Sequence, residues 1–309
     1  MNYGFDKGKF YVEQSPCSRD SYDLKKECEL RAVDLYSKYQ NLTLCLSSGL
    51  DSQVVLHSFK SQSIPINCVF MYLEGYNDKE YEQIKILEKK YNFLCEVIKF
   101  NQIEKYKEEL EHIALTTDTN IYHALHYKFV EKFPKDSKII LGIGDPWIVT
   151  DWKNNKDYYL FWYYDGYISR IRCLNHFKSH SVEIFSDSNE LQLSLLNDDV
   201  VKQFLFAKKY YKGNKIVNRG QELHDVYRFD FYIKPTLYAK YWNDNLEYFP
   251  KFMGFENIQW IRDSLQTYKK EKTCFIPYKE VITNYKDRGM NPTRYYEKSW
   301  IELITEENK

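Results

Sequence analysis

Residues 41–59 constrain the fold of this chain more than any other part of the sequence. They begin with a short apolar run, residues 42–46, of the kind that a buried parallel strand needs. The run stops at the small and polar residues 47–52, after which apolar side chains recur at helical spacing. A strand, a tight turn and a helix in this order direct backbone N–H groups towards an anion. The stretch therefore predicts an anion-binding loop within an α/β fold.

The residues of the turn have side chains that suit a phosphate group and a metal ion. Gly49 has no Cβ, so an oxyanion can approach the main chain closely. Ser47, Ser48 and Ser52 add hydroxyl donors, and Asp51 offers a carboxylate to a divalent cation. The usual P-loop is excluded, because the sequence has no G-x-x-x-x-G-K-[ST] run. An ordinary strand-to-helix turn rich in Ser and Gly is the alternative interpretation.

Helix-like and strand-like segments alternate along the first half of the chain. Helical patterns cover residues 22–39, 52–60, 78–91, 102–115 and 121–133, and strand-like runs cover residues 42–46, 65–74, 94–100 and 138–143. This alternation predicts a doubly wound parallel sheet, in which ligands bind at the carboxyl ends of the strands. Three polar or glycine-rich strand ends are expected to converge there, at residues 47–52, 74–75 and 142–145.

The sequence changes character after residue 157. Asp165-Gly166 lies between two aromatic, β-prone runs and predicts a hairpin turn. Helical patterns follow over residues 190–206, 235–244 and 256–269. The chain is therefore divided into an N-terminal extension with a helix (1–40), an α/β core (41–150), and a hairpin with a mostly helical C-terminal region that completes the site (151–309).

Composition limits the classes of partner. The 44 basic and 44 acidic residues cancel, so the chain has no electrostatic footprint for nucleic acid or an anionic membrane. The seven cysteines form no C-x-x-C pair, which argues against a zinc ribbon or a dithiol redox site. No signal peptide opens the sequence, and no run approaches the about 20 apolar residues of a membrane helix. We expect a cytoplasmic protein without a membrane partner.

The hexapeptide SSGLDS resembles the SGGxDS loop of the N-type ATP pyrophosphatases, the PP-loop or adenine nucleotide alpha hydrolase-like proteins. Ser48 is a departure, since it stands where the family has its first glycine. The resemblance implies a sheet of the adenine nucleotide alpha hydrolase (HUP) type, with ATP and Mg²⁺ as cofactors and Asp51 as a ligand of the metal. It further implies that the β- and γ-phosphates bind to Ser47, Ser48, Gly49, Leu50, Asp51 and Ser52.

Two more segments are similar to parts of the asparagine synthetases. Residues 70–92 look like the segment whose strand end recognises adenine through the main chain, which implies this role for Met71 and Leu73. Their side chains are better interpreted as core. Residues 249–255, FPKFMGF, resemble the PK-x-GF segment with one residue extra. The family's lysine contacts the α-phosphate and the departing pyrophosphate, which implies the same role for Lys251.

The segment KIILGIGDPW resembles the strand of these enzymes that ends in SGEGxDE. Gly142, Gly144 and Asp145 match in kind, which implies that both glycines line the nucleotide site. It also implies that Asp145 binds Mg²⁺ or orients an attacking amine. Ile143 occupies the position of the family's glutamate, which helps to activate ammonia. Lys234 and Arg228 are alternative cations for the phosphates.

Together these resemblances imply an ATP-dependent, amide-forming ligase of the asparagine synthetase-like group, with Lys251, Asp145 and Asp51 as catalytic residues. A carboxylate or amide of a small-molecule substrate would be adenylated with release of pyrophosphate, and a nitrogen nucleophile would then displace AMP. No glutaminase domain is expected, because about 40 residues precede the loop strand and Asn2 stands at position two, so ammonia or an amine would come from elsewhere.

Two alternative functions stay open at this point. One is a nucleobase- or tRNA-modifying PP-loop pyrophosphatase, which would need a basic groove that the sequence does not display. The other is a relative that binds ATP without catalysis, which the departures at Ser48 and Ile143 favour. The substrate, the nucleophile and the oligomeric state carry no sequence signal.

Overall fold

The computed structural model describes residues 2–6, 9–13, 17–117, 121–142, 146–151, 156–161, 181–201, 234–249 and 258–261. The strands in chain order are β1 (Asn2–Asp6), β2 (Lys9–Glu13), β3 (Leu42–Cys45), β4 (Asn67–Leu73), β5 (Cys95–Phe100), β6 (Lys138–Leu141), β7 (Pro146–Asp151), β8 (Lys156–Phe161) and β9 (Ser181–Ile184). The α-helices are α1 (Leu24–Lys38), α2 (Leu50–Ser61), α3 (Asp78–Tyr91), α4 (Lys107–Thr117), α5 (Ile121–Val130), α6 (Asn189–Asn197) and α7 (Lys234–Trp242). Short 3₁₀ turns cover Ile103–Tyr106 and Asn243–Asn245.

A five-stranded sheet lies at the centre of the fold, in the order β5-β4-β3-β6-β9, and every pair in it is parallel. The chain starts at β3, moves outward to β4 and β5, and then returns to the other side of β3 to add β6 and β9. This reversal is the topological switch point at which ligands bind in sheets of this kind. The prediction of an α/β fold around a parallel sheet is confirmed.

Alternating side chains of the strands pack into two separate cores. In β4, Cys68 and Phe70 belong to the core that also contains the apolar faces of α1, α2, α3, α6 and α7. Val69, Met71 and Leu73 belong to the other core, which contains α4 and α5. A parallel strand with both faces covered by helices must be apolar at consecutive positions, as the segment CVFMYL is.

Most of the described helices begin and end within a few residues of their predicted positions, but α6 ends at Asn197, because Asp198 is extended, whereas the helix was predicted over 190–206. The helix predicted from residue 22 begins at Leu24, because the Asp23 carboxylate accepts a hydrogen bond from Lys26 N (2.9 Å) and caps it. The helix predicted from residue 102 begins instead with the 3₁₀ turn, and α4 follows from Lys107. Among the described residues, no helix combines the length and hydropathy that crossing a membrane requires.

Two regions differ from the sequence analysis. Strand β9 has no counterpart in the prediction, although it forms one edge of the sheet. Strand β8 overlaps the first of the two β-prone runs, but its antiparallel partner is the upstream strand β7, with Pro146 opposite Phe161. The predicted turn at Asp165-Gly166 lies outside the described residues. A second two-stranded sheet pairs β1 with β2 near the start of the chain.

A cluster of charged and polar side chains attaches β9 to its neighbours. Glu183 in β9 lies 3.1 Å from Lys138 Nζ in β6 and 3.3 Å from Arg31 Nη2 in α1, and it accepts a hydrogen bond from Tyr39 Oη at 2.8 Å. Arg31 Nε also donates to the main-chain oxygen of Phe185 (3.1 Å). Burial alone would raise the pKa of Glu183, but Lys138, Arg31 and the hydrogen bond from Tyr39 together more than offset it, so the pKa lies below its ordinary value.

We predict that Glu183→Gln lowers the free energy of unfolding by about 1–3 kcal/mol, because Lys138 and Arg31 lose their shared carboxylate. Since the folded state lowers the pKa of Glu183, the stabilisation is present above the unfolded-state pKa of about 4.3 and is lost as pH falls through the folded-state value. Urea unfolding at several pH values measures the difference between the two proteins. It should be largest near neutral pH and shrink in acid, and a difference that is independent of pH would contradict the assignment.

Candidate functional site

The loop at residues 46–49 leaves the sheet at the switch point. Leu46 N makes the last hydrogen bond between β3 and β4, to Val69 O at 2.9 Å, and α2 begins at Leu50. The predicted strand, turn and helix are therefore present, and the loop lies at the carboxyl edge of β3. The N-cap of α2 is Gly49, which supplies no side-chain capping bond. Main-chain N–H groups at this position are suited to an anion.

Side chains of the loop hold it in shape from within. Ser52 Oγ lies 2.6 Å from Ser47 O and 2.9 Å from Gly49 O, and it accepts a hydrogen bond from Ser47 N at 3.2 Å. Ser47 Oγ accepts in turn from Gly49 N (3.2 Å). The Ser52 side chain is almost fully buried. These two hydroxyls thus contribute to the loop conformation, whereas the sequence analysis expected them to act as donors to phosphate.

Ser48 already binds an oxyanion, which is the carboxylate of Glu80 in the first turn of α3. Ser48 N donates to Glu80 Oε1 at 3.2 Å, and Ser48 Oγ lies 3.5 Å from the same atom. Burial raises the pKa of Glu80, although the hydrogen bonds from Ser48 and Asn77 act in the opposite direction. The geometry demonstrates that the main chain of this loop accommodates a negatively charged oxygen.

Asp51 lies between two buried side chains of α7. Lys234 Nζ is 2.5 Å from Asp51 Oδ2, and Tyr238 Oη donates to Asp51 Oδ1 at 2.6 Å. Burial, and then the charge of Asp51, raise the pKa of Tyr238 well above its ordinary value. The Asp51 side chain is 27% exposed, against 5% for that of Lys234, so solvent reaches the carboxylate. Lys234 is the cation that the structure describes beside the loop.

Gly142 follows β6 and lies against the start of α2. A Cβ at this position would be 3.4 Å from Asp51 Cβ and 3.8 Å from Ser52 N. The predicted convergence of the β3 and β6 strand ends is therefore present. Ile143, Gly144, Asp145 and Lys251 lie outside the described residues, and their proposed roles stay predictions.

The main-chain groups predicted to recognise adenine lie at the end of β4, where β3 no longer runs alongside it. Met71 O accepts a hydrogen bond from Asn77 Nδ2 at 2.9 Å, and Leu73 N donates to Asn77 Oδ1 at 2.7 Å. The buried side-chain amide of Asn77 thus bonds to both main-chain groups, with its N–H donating to one and its oxygen accepting from the other. A purine edge presents the same kind of pair.

Asp187 is a further acidic residue at this edge of the sheet that the sequence analysis did not select. It follows β9, it is 5% exposed, and its Oδ1 has no hydrogen-bond partner among the described residues. Burial raises its pKa to about 6. The polar segment SDSN after the apolar residues of SVEIF was the available signal, and it goes unnoticed unless β9 is recognised as a strand. Across the described residues, no group of three or more His, Cys, Asp or Glu side chains is arranged to hold a metal ion.

Comparison with known proteins assigns no family to the chain. No protein-family model matches it, and the search of curated proteins also found no match. The fold and the site by themselves define a class: an α/β protein with an all-parallel sheet whose switch point carries a Ser- and Gly-containing strand-to-helix loop.

We predict that Ser52→Ala lowers the free energy of unfolding by about 1–2 kcal/mol, because buried oxygens and N–H groups of the loop lose their shared hydroxyl. Ser61→Ala is the matched control, since Ser61 Oγ donates to a carbonyl of its own helix, Ser58 O at 3.1 Å, far from the loop. Urea unfolding monitored by circular dichroism compares the two variants. Equal effects would mean that the Ser52 hydroxyl has no special part in holding the loop.

Proposed function

We propose that the protein is an ATP-dependent enzyme of the PP-loop type that adenylates a carboxylate or an amide and passes the activated group to a nitrogen nucleophile. The observation that carries the proposal is the position of the SSGLDS loop: it lies at the switch point of the sheet, and its Ser48 N–H binds an oxyanion. Within this proposal the fold is of the adenine nucleotide alpha hydrolase type, which the strand order and the loop after β3 support.

ATP is the first substrate in this reaction, with its phosphates on the loop and its adenine along the end of β4. The main-chain N–H group of Ser48 is the proposed donor for the phosphates, and that of Gly49 joins it if the phosphate replaces Ser47 Oγ as its acceptor. Met71 O and Leu73 N provide the acceptor and the donor for the purine edge. Both sets of groups are main-chain atoms next to the switch point, so the fold itself positions them. In this structure Glu80 and Asn77 occupy Ser48 N, Met71 O and Leu73 N, so both side chains must turn away before the nucleotide binds.

In the first step an oxygen of the acceptor attacks the α-phosphorus, the bond to the bridging oxygen breaks, and pyrophosphate leaves. Negative charge grows on the departing oxygen, and a fixed cation stabilises it. Lys251 is the candidate from the resemblance, and Lys234 is a candidate by its position beside the loop. In the second step the nitrogen attacks the activated carbon, and AMP leaves with the bonding electrons.

Asp51 has two proposed tasks. Its carboxylate holds Lys234 in place through the 2.5 Å contact, and its remaining lone pairs suit Mg²⁺, which prefers oxygen ligands. Mg²⁺ when bound neutralises charge on the phosphates. Asp145 is the second proposed ligand of the metal.

A non-catalytic relative that binds ATP is the second candidate function. The contact between Ser48 and Glu80 favours it, because an acidic side chain already holds the anion-binding N–H. Calorimetry that detects ATP binding, while no AMP or pyrophosphate forms with any carboxylate, amide or amine tried, would support this alternative over the enzyme.

We predict that Asp51→Asn and Lys234→Met each lower the rate of pyrophosphate release from ATP at least about 100-fold, because the loop loses its fixed charges. The assay uses the full chain with Mg²⁺ and a panel of small carboxylates, amides and amines. Asp199→Asn is the control, since Asp199 is exposed and its substitution changes the net charge by the same amount as Asp51→Asn. Thermal melts establish that each variant is folded. Full activity of Asp51→Asn would remove the loop from the mechanism.

A further inference from the structure

We propose that Asn77 and Glu80 form a latch that closes both halves of the nucleotide site at once, so that the site is specific for ligands that carry a purine and a polyphosphate together. The inference rests on the proposed function. Glu80 Oε1 accepts from Ser48 N in the phosphate half, and the Asn77 amide bonds to Met71 O and Leu73 N in the purine half.

The two side chains of the latch are joined to each other. Asn77 Nδ2 lies 3.4 Å from Glu80 Oε2 as well as 2.9 Å from Met71 O, so its two hydrogens reach both acceptors. Movement of Glu80 away from the loop removes a partner of Asn77, and movement of Asn77 removes a donor to Glu80. A ligand that displaces one side chain therefore weakens the hold of the other.

The latch also has another set of partners available, which are the N–H groups at the start of α3. Asn77 is the N-cap of α3 and Glu80 is the third residue of the helix, an arrangement that normally allows the two side chains to cap the helix reciprocally. Here Asn77 makes no side-chain capping bond, because its amide points to β4. When a ligand displaces the latch, both side chains can turn to the helix N-terminus, which reduces the cost of opening.

These contacts make the two halves of the site cooperative. A ligand that binds only the open state has its affinity reduced by the fraction of protein that is closed. When inorganic tripolyphosphate and adenosine bind as separate molecules, the affinity of each is reduced by the closed fraction. ATP carries both groups in one molecule, so its affinity is reduced only once. By linkage, either fragment should increase the affinity for the other by the same factor.

The test measures binding of ATP, tripolyphosphate and adenosine to the full chain by calorimetry. In the wild-type protein, saturating adenosine should increase the affinity for tripolyphosphate about 5-fold or more, which corresponds to the loss of one hydrogen bond of ordinary strength. In Glu80→Ala the affinity for adenosine should rise by a similar factor, and the cooperativity should disappear. Adenosine is neutral, so removal of a negative charge alone does not account for its tighter binding.

Glu82→Ala is the matched control, because Glu82 is an exposed acid two residues along the same helix. It should change neither the affinity for adenosine nor the cooperativity. Glu80→Gln keeps the size of the side chain and should give a smaller change in the same direction. Amide hydrogen exchange in the first turn of α3 should slow when ATP binds, since the displaced side chains then cap the helix.

The results separate failure of the latch from failure of the proposed function. If ATP binds and pyrophosphate is released, but the fragments bind independently and Glu80→Ala leaves adenosine affinity unchanged, the latch is wrong and the function stands. If ATP binds neither the wild-type protein nor Glu80→Ala, both are wrong.

Discussion

The last hydrogen bond between β3 and β4 runs from Leu46 N to Val69 O. Beyond it, β4 continues through Leu73, paired with β5 on one side but no longer with β3 on the other. This difference in strand length opens a notch at the switch point of the sheet. On one side of the notch the chain turns into α2 and exposes main-chain donors, and on the other side β4 presents an acceptor and a donor that β3 does not reach. Buried main-chain groups must be satisfied, so the notch selects for polar occupants. In this structure the occupants are Asn77 and Glu80.

The fold and the charged side chains around the notch depend on each other. α7 is far along the chain from the loop, yet it contributes Lys234 and Tyr238 to a single carboxylate in α2. β9 is likewise attached to α1 and β6 through Glu183. Ion pairs of this kind add little stability where solvent is present, but buried partners fix position. The sheet therefore supplies the notch, and the long-range polar contacts determine which side chains line it.

Local pattern was enough to predict the four strands β3, β4, β5 and β6 and the loop after β3. For β3 the signal is consecutive apolar residues followed by a run of small residues, which are compatible with few local structures besides a buried strand and a tight turn. Strand β9 was not predicted because Glu183 stands in the middle of its four residues, so it lacks the consecutive apolar residues of the equally short strand β6. The contact from Ser48 to Glu80 joins residues 32 apart, and that from Asp51 to Lys234 joins residues 183 apart. No periodicity encodes such pairs, since they arise only when the helices pack on the sheet.

The distance along the chain between Asp51 and α7 has a consequence for biosynthesis. A ribosome completes β3 and α2 long before it reaches Lys234, so during translation the Asp51 carboxylate lacks its cationic partner. An unbalanced negative charge beside the loop repels polyanions. The proposed affinity for nucleotide would therefore arise late, after the helix that carries Lys234 has emerged from the exit tunnel and docked.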